Sequence, residues 1–215
     1  FDSASWLGDS AGLRGTLRVE RRSDQPFSAR FEGELADVDL ASLVQNHFPD
    51  QRLSGRARVA IRSAVWDLLP AGSTSGWRSA EGQIVASSGR IGGGLLRALG
   101  DEMRFSIDLE SLARAETADL TFQSLGLDFA LRESGEIELA GALGSDLPPG
   151  AVIVPLDRLH PLAYAPEGSA SVRGLWKMLV PASADVLLPA TETAQVLHHL
   201  PLPTSTASTP GQRAN

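Results

Sequence analysis

Three adjacent glycines, Gly92 to Gly94, lie where a predicted strand gives way to a predicted helix. Phosphate-binding loops occupy such positions, because glycine lets backbone N–H groups approach a phosphate closely. The triplet matches neither the G-x-G-x-x-G pattern nor the lysine-containing P-loop pattern, and the helix predicted after it is short. We therefore interpret these glycines as a turn rather than as a nucleotide site.

The four histidines lack the spacing of a metal site. His198 and His199 are adjacent, so on a helix their side chains point about 100° apart. His47 and His160 are isolated in the sequence, whereas a metal needs several ligands that converge on one point. The chain has no cysteine, which excludes disulfides, thiolate catalysis and zinc–sulfur sites. We predict no metal and no cofactor.

The acidic residues indicate solvated strand faces more than a catalytic pair. General acid–base catalysis needs two carboxylates brought together in a cleft, and no spacing in this sequence selects such a pair. The sequence contains no G-x-S-x-G motif, so a nucleophilic serine is not indicated either. We predict that the chain is not an enzyme, with a two-carboxylate hydrolase as a minor alternative. The acidic residues on predicted polar faces are Glu32, Glu34, Asp108, Glu110, Glu136 and Glu138.

Composition narrows the possible partners of this 215-residue chain. A net charge of −7 argues against nucleic acid, because phosphate binding needs clustered positive charge. No apolar run approaches the ~18 to 20 residues of a membrane span. Arg56, Arg58 and Arg62 form a modest positive stripe, which we expect to pair with glutamates of a neighbouring strand rather than with a lipid phosphate.

Alternation of apolar and polar residues predicts about eight strands, most of them joined by short turns. Asp39 is expected to cap a short helix over residues 40–44, and Leu95 to Leu99 has helical spacing. The segment from Trp66 to Trp77 is predicted to be a loop because it is rich in Gly, Ser and Pro. The predicted strands begin near Leu13, Phe27, Leu53, Ala80, Met103, Leu120, Leu127 and Ile137.

The last third of the sequence has weaker patterns. Prolines leave at most an edge strand over residues 152–154, and residues 172–181 are predicted to be extended. Residues 191–200 are expected to form a small helix. We divide the chain into a β-sheet module over 1–147, a proline-interrupted extension over 148–200 and a disordered tail over 201–215, which is rich in Ser, Thr and Pro.

A glycine recurs between apolar residues in five of the predicted strands. Glycine in a strand lowers stability by about 0.5 to 1 kcal/mol relative to alanine. Its recurrence on the apolar face therefore indicates a structural role. The sheet is strongly curved, or another chain approaches the backbone closely, or each glycine makes room for a bulky neighbour. We favour a mainly β, antiparallel and strongly curved sheet, either an open groove or sandwich-like. The five glycines are Gly15, Gly33, Gly55, Gly82 and Gly141.

Several short motifs resemble the C-terminal region of the AsmA-like proteins, a family of large bacterial envelope proteins. They are Asp39-Leu40-Ala41-Ser42-Leu43, Leu53-Ser54-Gly55-Arg56-Ala57, Gly82-Gln83-Ile84 and the run from Ser88 to Leu99. The resemblance covers roughly residues 13–143, whereas the Trp66 to Trp77 segment and the proline-rich part after Leu147 depart from the family pattern. It implies a periplasmic location, an N-terminal inner-membrane anchor outside this chain, and a role in moving or organising lipids.

Together these features predict a non-catalytic envelope module that binds or guides acyl chains, of phospholipid or another lipid, along an apolar groove. The alternative is a structural or protein-binding β-sandwich whose apolar faces pack on each other and hold no lipid. The predicted groove residues are Leu17, Phe31, Leu35, Leu53, Val59, Ile61, Ile84 and Ile91.

Overall fold

The computed structural model describes residues 11–21, 27–45, 51–68, 76–158 and 160–179. These residues form ten strands and four short helices, and no helix among them has the length and apolar character needed to cross a membrane. The predicted helix over 191–200 and the predicted tail lie outside this part of the chain. The strands are β1 (Gly12–Arg21), β2 (Phe27–Asp39), β3 (Leu53–Leu68), β4 (Gly76–Ile91), β5 (Ser106–Ile107), β6 (Leu120–Arg132), β7 (Glu136–Gly141), β8 (Ala151–Pro155), β9 (Ala163–Tyr164) and β10 (Ser169–Ser171). The helices are α1 (Leu40–Gln45), α2 (Gly93–Met103), α3 (Leu109–Ala115) and α4 (Val172–Leu179).

All ten strands belong to one antiparallel sheet, with the order β1-β2-β3-β4-β6-β8-β9-β5. The sheet forks at β6, which pairs with β4 along one edge and with two strands along the other. Leu125 of β6 lies opposite Ile153 of β8, whereas Leu127 lies opposite Gly141 of β7. Strand β10 then pairs with β7. The prediction of a mainly β, antiparallel chain with a few short helices is confirmed.

The prediction of strong curvature is wrong, because the sheet is not strongly curled. Aromatic packing accounts for several of the glycines. A Cβ atom on Gly15 or Gly33 would lie 2.6 Å from ring atoms of Phe31, and one on Gly82 would lie 2.6 Å from the ring of Phe129. A backbone carbonyl oxygen of the neighbouring strand lies even closer to each added Cβ atom. These glycines therefore leave room both for a phenylalanine ring and for the adjacent backbone, which agrees with the bulky-neighbour explanation of the repeat.

Gly55 has a different role from the glycines beneath phenylalanine rings. Its φ of +130° is one that L side chains rarely adopt, and the register between β3 and β4 shifts between Gly55 and Ala57. This glycine therefore permits a β-bulge.

The predicted strand beginning near Met103 is largely wrong. Met103 ends α2, Arg104 adopts a left-handed conformation with a φ of 61°, and only Ser106 and Ile107 are extended. Asp108 then caps α3, because its carboxylate accepts hydrogen bonds from both the backbone N–H and the hydroxyl of Ser111. The cap starts a helix where alternation alone predicts a continuing strand.

The sequence beyond Leu147 contributes more regular structure than its prolines indicate. Strand β8 is not an edge strand, since it pairs with both β6 and β9 and all five of its residues are buried. The segment predicted to be extended from Val172 forms helix α4, and the hydroxyl of Ser171 accepts a hydrogen bond from the N–H of Gly174 at its start. The predicted loop from Trp66 to Trp77 is wrong at both ends, because β3 continues to Leu68 and β4 begins at Gly76.

The core lies where the four helices meet the sheet. The capping prediction for α1 is confirmed, because the Asp39 carboxylate accepts a hydrogen bond from the N–H of Ala41. Every helix contributes to one apolar cluster, which also includes Phe122 and Ile153 of the sheet. The helical members are Leu40 and Leu43 of α1, Leu95, Leu96, Ala98, Leu99 and Met103 of α2, Leu112 and Ala115 of α3, and Leu175 of α4.

Candidate binding face

The register of the strands arranges the apolar side chains in rows that cross the sheet. Directly opposed residues of antiparallel strands share a face, so each row can be read from the pairing. The first row that crosses from β2 to β8 contains Val38, Ala57, Ala86, Leu125 and Ile153, and the shorter rows of Phe122 and Ile91 lie on its α2 side. The next row contains Leu13, Leu35, Val59, Ile84 and Leu127. Farther from the helices, a third row contains Gly15, Gly33, Ile61, Gly82 and Phe129, and a fourth contains Leu17, Phe31, Ala64, Ala80 and Leu131.

We call the first of these rows, together with Phe122, Ile91 and the helical side chains packed on them, the helix-covered end. Val38, Ala57 and Ala86 are buried there, and they belong to the same cluster as Leu95 and Leu96 of α2. Ile91 lies at this end as well and is 1% exposed. The chain's own side chains fill this part of the apolar face, so we leave Ile91 out of the proposed binding surface.

The other seven predicted groove residues divide into two groups. Four of them are partly buried and pack against the core cluster: Leu35, Leu53, Val59 and Ile84. The remaining three, Leu17, Phe31 and Ile61, lie farther from the helices and are not members of that cluster. The structure therefore brings all seven to one face but gives them different surroundings.

The most exposed apolar residues of this face lie on β1 and the start of β2. Leu13, Leu17 and Val19 have exposed fractions of 50%, 56% and 51%. Phe31 and Ile61 are partly buried beside them. We call this surface the open apolar patch and define it as Leu13, Leu17, Val19, Phe27, Phe31 and Ile61.

A cation lies at one margin of the open apolar patch. Arg21 is opposite Phe27 in the β1–β2 pair, and its guanidinium carbon lies 5.2 Å from the centroid of the Phe27 ring. This cation–π contact holds a positive charge beside an exposed ring. An apolar ligand on the patch would therefore meet a hydrogen-bond donor at this margin.

The opposite face of the sheet is polar and carries ion pairs between strands. Arg58 pairs with Glu34 of the neighbouring strand, which confirms that expectation for one member of the arginine stripe. Arg62 forms an ion pair with Asp128 of β6 instead, with 2.8 Å between Nη1 and Oδ1. It also donates a hydrogen bond to the carbonyl oxygen of Gly82. The exposed fractions of these side chains range from 31% to 68%, so the pairs contribute little stability and leave this face solvated.

Two clefts lie away from the open apolar patch, and the first of them is mainly polar. The first has a volume of about 440 Å³ and contains the glycine triplet at the start of α2. Arg52 and Arg97 line it, but Arg52 pairs with Asp119 and Arg97 pairs with Glu116. The second cleft, of about 390 Å³, lies between the end of α3 and β8 and includes Arg114, Asp157 and Leu162. In the first cleft, carboxylates already neutralise the arginines that an anion would use.

Two carboxylates expected on a strand face belong instead to the start of α3. Hydrogen bonds from Ser111 lower the pKa of Asp108, and a hydrogen bond from Arg158 lowers the pKa of Glu110. Arg114 lowers the pKa of Asp157 in the same way. Lowered pKa values keep these groups ionised, which suits capping and ion pairing rather than general acid catalysis. No cluster of three or more potential metal ligands occurs among the residues that the structure describes.

The sequence interpretation omitted three patch residues, Leu13, Val19 and Phe27. Leu13 and Val19 share the parity of Leu17 along β1, and Phe27 shares the parity of Phe31 along β2, so alternation already indicated their face. What alternation does not indicate is which rows the helices cover. Comparisons of this chain with protein-family models, with curated proteins and with solved structures find no match.

Proposed function

We propose that this chain is a non-catalytic module of the bacterial cell envelope that binds lipid acyl chains on the open apolar patch. The observation that carries the proposal is the exposure of Leu13, Leu17 and Val19, at 50–56%, on the same face as the core. Contiguous exposed apolar surface is typical of interaction sites in soluble proteins. An acyl chain suits such a surface, because it presents no polar group that the patch would need to satisfy.

The proposed binding energy comes from the burial of apolar surface rather than from hydrogen bonds or ion pairs. Burial of one methylene group contributes about 0.8 kcal/mol, so a chain that buries several methylene groups binds without any hydrogen bond. The third and fourth rows extend from the patch across β3, β4 and β6 through the partly buried Ile61, Phe129 and Leu131, beside the small residues Gly82, Ala64 and Ala80. A ligand can therefore lie across the strands, and we expect little selectivity among acyl chains.

The resemblance to AsmA-like proteins supports the envelope context of the proposal. It favours a periplasmic module of a longer, inner-membrane-anchored protein, with phospholipid as the ligand and lipid transport or assembly as the process. Asp39 and the start of α1 carry part of that resemblance and lie at the helix-covered end, where α1 joins the core.

A second candidate function is protein binding through the same face without a lipid. The observation that favours it is the helix-covered end, where Ile91 and Leu96 are fully buried among the chain's own residues. A face already half filled by protein could be completed by a partner protein. The described strands form one sheet rather than two packed sheets, so the partner would have to supply the second layer.

A charge placed within the patch distinguishes the two candidates. Ile61 and Ala60 are adjacent in β3 and lie on opposite faces, so Ile61→Lys and Ala60→Lys add the same charge to the apolar and the polar face. The probe is a vesicle of phosphatidylethanolamine and phosphatidylglycerol, and native mass spectrometry counts the phospholipid molecules that the protein extracts. We expect extraction by the unmodified chain and by Ala60→Lys, and a loss of about tenfold or more in Ile61→Lys.

Circular dichroism and thermal unfolding of both variants establish that the fold is retained. The lipid proposal is rejected if the unmodified chain extracts no phospholipid, and protein binding is then the better candidate. It is also rejected if Ile61→Lys extracts as much as Ala60→Lys, since the lipid would then bind elsewhere. Should Ile61→Lys fail to fold, Leu17→Lys serves as the second variant, because Leu17 is more than half exposed.

A further inference from the structure

Strand β1 has an edge without a partner among the residues that the structure describes. Its ten residues pair with β2 from Gly12 to Arg21, and every one of them is exposed. A strand edge presents N–H and C=O groups that can pair with another strand. Proteins commonly protect such edges with proline, bulges or charged side chains. Strand β1 contains no proline and no register shift against β2, and its charged side chains are of both signs.

The alternation in β1 restricts how a second strand can pair with it. Leu13, Leu17 and Val19 lie on the apolar face, and Arg14 and Arg18 lie on the polar face. A shift of one residue would oppose apolar and polar side chains, so only shifts of two residues keep both faces continuous. A second β1 strand satisfies this condition, because it has the same alternation.

Charge then selects one antiparallel register for two β1 strands. With Leu17 opposite Leu17, Arg14 of each strand lies opposite Glu20 of the other, and Arg18 lies opposite Thr16. A shift in one direction places Arg14 opposite Arg18, and a shift in the other places Arg18 opposite Arg18. Like charges directly opposed destabilise a strand pair, so the register centred on Leu17 is favoured.

Within one copy, Glu20 is left available to pair with Arg14 of a second copy. Glu20 lies opposite Ser28 of β2, and no ion pair to Glu20 is found in the described part of the chain. Arg14 and Glu20 are six residues apart in the same strand, or about 20 Å. Their charges therefore cannot pair within one copy, although they meet twice when two copies associate.

We propose that β1 pairs with β1 of a second copy of this chain, antiparallel and about a twofold axis at Leu17. The pairing joins two sheets edge to edge and opposes Arg14 of each copy to Glu20 of the other. The apolar faces of the two sheets become continuous across the axis. This inference rests on the strand edge and its charges, and it does not depend on lipid binding.

Sedimentation velocity over a range of concentrations, on lipid-free protein, tests the proposal by charge exchange. Arg14→Glu places two pairs of carboxylates in opposition, and Glu20→Arg places two pairs of guanidinium groups in opposition. We expect each single variant to dimerise about 10- to 100-fold more weakly than the unmodified chain. An equimolar mixture of the two variants restores both ion pairs, so we expect it to form a heterodimer of near-original affinity.

A matched control and a second variant complete the experiment. Val85→Lys adds a charge at an exposed position in β4, away from the strand edge, and we expect it to leave dimerisation unchanged. Leu17→Lys brings two ammonium groups together at the axis and is expected to abolish the dimer. A chain that stays monomeric at all concentrations overturns the proposal. A dimer that tolerates the single variants, or a mixture that fails to recover, overturns the proposed register, and circular dichroism verifies folding in each case.

Discussion

The helix-covered end and the open apolar patch belong to the same face of the same sheet, yet their side chains have opposite surroundings. At the helix-covered end Phe122 is fully buried, and its ring covers Gly89. On the open apolar patch Phe31 covers Gly15 and Gly33 in the same manner but remains partly exposed. The same pairing of phenylalanine with glycine therefore serves a core in one region and a surface in the other. The two rings differ in burial because, among the described residues, helices pack on the first region, whereas the strands of both regions carry the same phenylalanine–glycine arrangement.

The largest expected effect is a difference in stability between two phenylalanine substitutions. Phe122→Ala removes a fully buried ring and should lower the free energy of unfolding by about 3–5 kcal/mol. Phe31→Ala removes a partly exposed ring, and we expect a loss of about 1–2 kcal/mol. Urea denaturation of both variants measures the difference. Equal losses would show that the patch is as well packed as the helix-covered end.

An intermediate effect is expected from adding one methyl group beneath a ring. The Cβ atom in Gly82→Ala would lie 2.6 Å from the Phe129 ring and even closer to the carbonyl oxygen of Ala60, so the backbone must shift. We expect a loss of about 1–3 kcal/mol in the free energy of unfolding. Gly12→Ala is the control, because nothing lies within 4 Å of its added Cβ atom. A neutral Gly82→Ala would contradict the packing role of this glycine.

The smallest expected effect concerns a cap at the helix-covered end. Asp108→Ala removes the hydrogen bonds that start α3 and should cost about 1 kcal/mol at pH 7. The pKa of Asp108 is lowered from its ordinary value of 3.8. The carboxylate therefore stabilises the folded chain above about pH 4, and this contribution declines as the pH falls through the lowered pKa.

Urea midpoints at pH 7 and pH 3 measure this pH dependence. We expect the difference in stability between the unmodified chain and Asp108→Ala to shrink at the lower pH. Asp108→Asn is a useful companion, since it keeps an acceptor for the Ser111 N–H but does not ionise. A difference that grows on acidification would show that Asp108 does not act as an ionised cap.

Much of the sheet follows from alternation in the sequence. The strands around Leu17, Phe31 and Val59 lie where the period of two places them, because in each strand the apolar residues alternate with polar ones and share one face. Helices α3 and α4 do not follow, since each begins at a cap, Asp108 or Ser171, inside a segment predicted to be extended. Local hydrogen bonds outweighed the pattern there.

The sequence predicts which face of the sheet a residue of the candidate site occupies, but not how exposed that residue is. Parity in the sequence assigns Leu17 and Ile84 to the same face, and the register agrees. Whether a residue on that face is exposed depends on where the helices pack. Ile91 and Ile84 have equivalent positions in the sequence pattern, yet Ile91 lies under the helices and is buried. The topology of the chain, rather than the periodicity of the sequence, determines which residues the helices cover.

The length of the central strands has a consequence for backbone fluctuations. Strands β3 and β4 each contain 16 residues, and therefore extend over about 53 Å from the helix-covered end past the second and third rows. Opening of their amides should start at the far termini and stop where the helices pack, which gives a gradient of deuterium uptake along each strand. A ligand bound on the patch would slow exchange at the far termini and so reduce that gradient. Deuterium uptake of the amides therefore reports whether the surface is occupied.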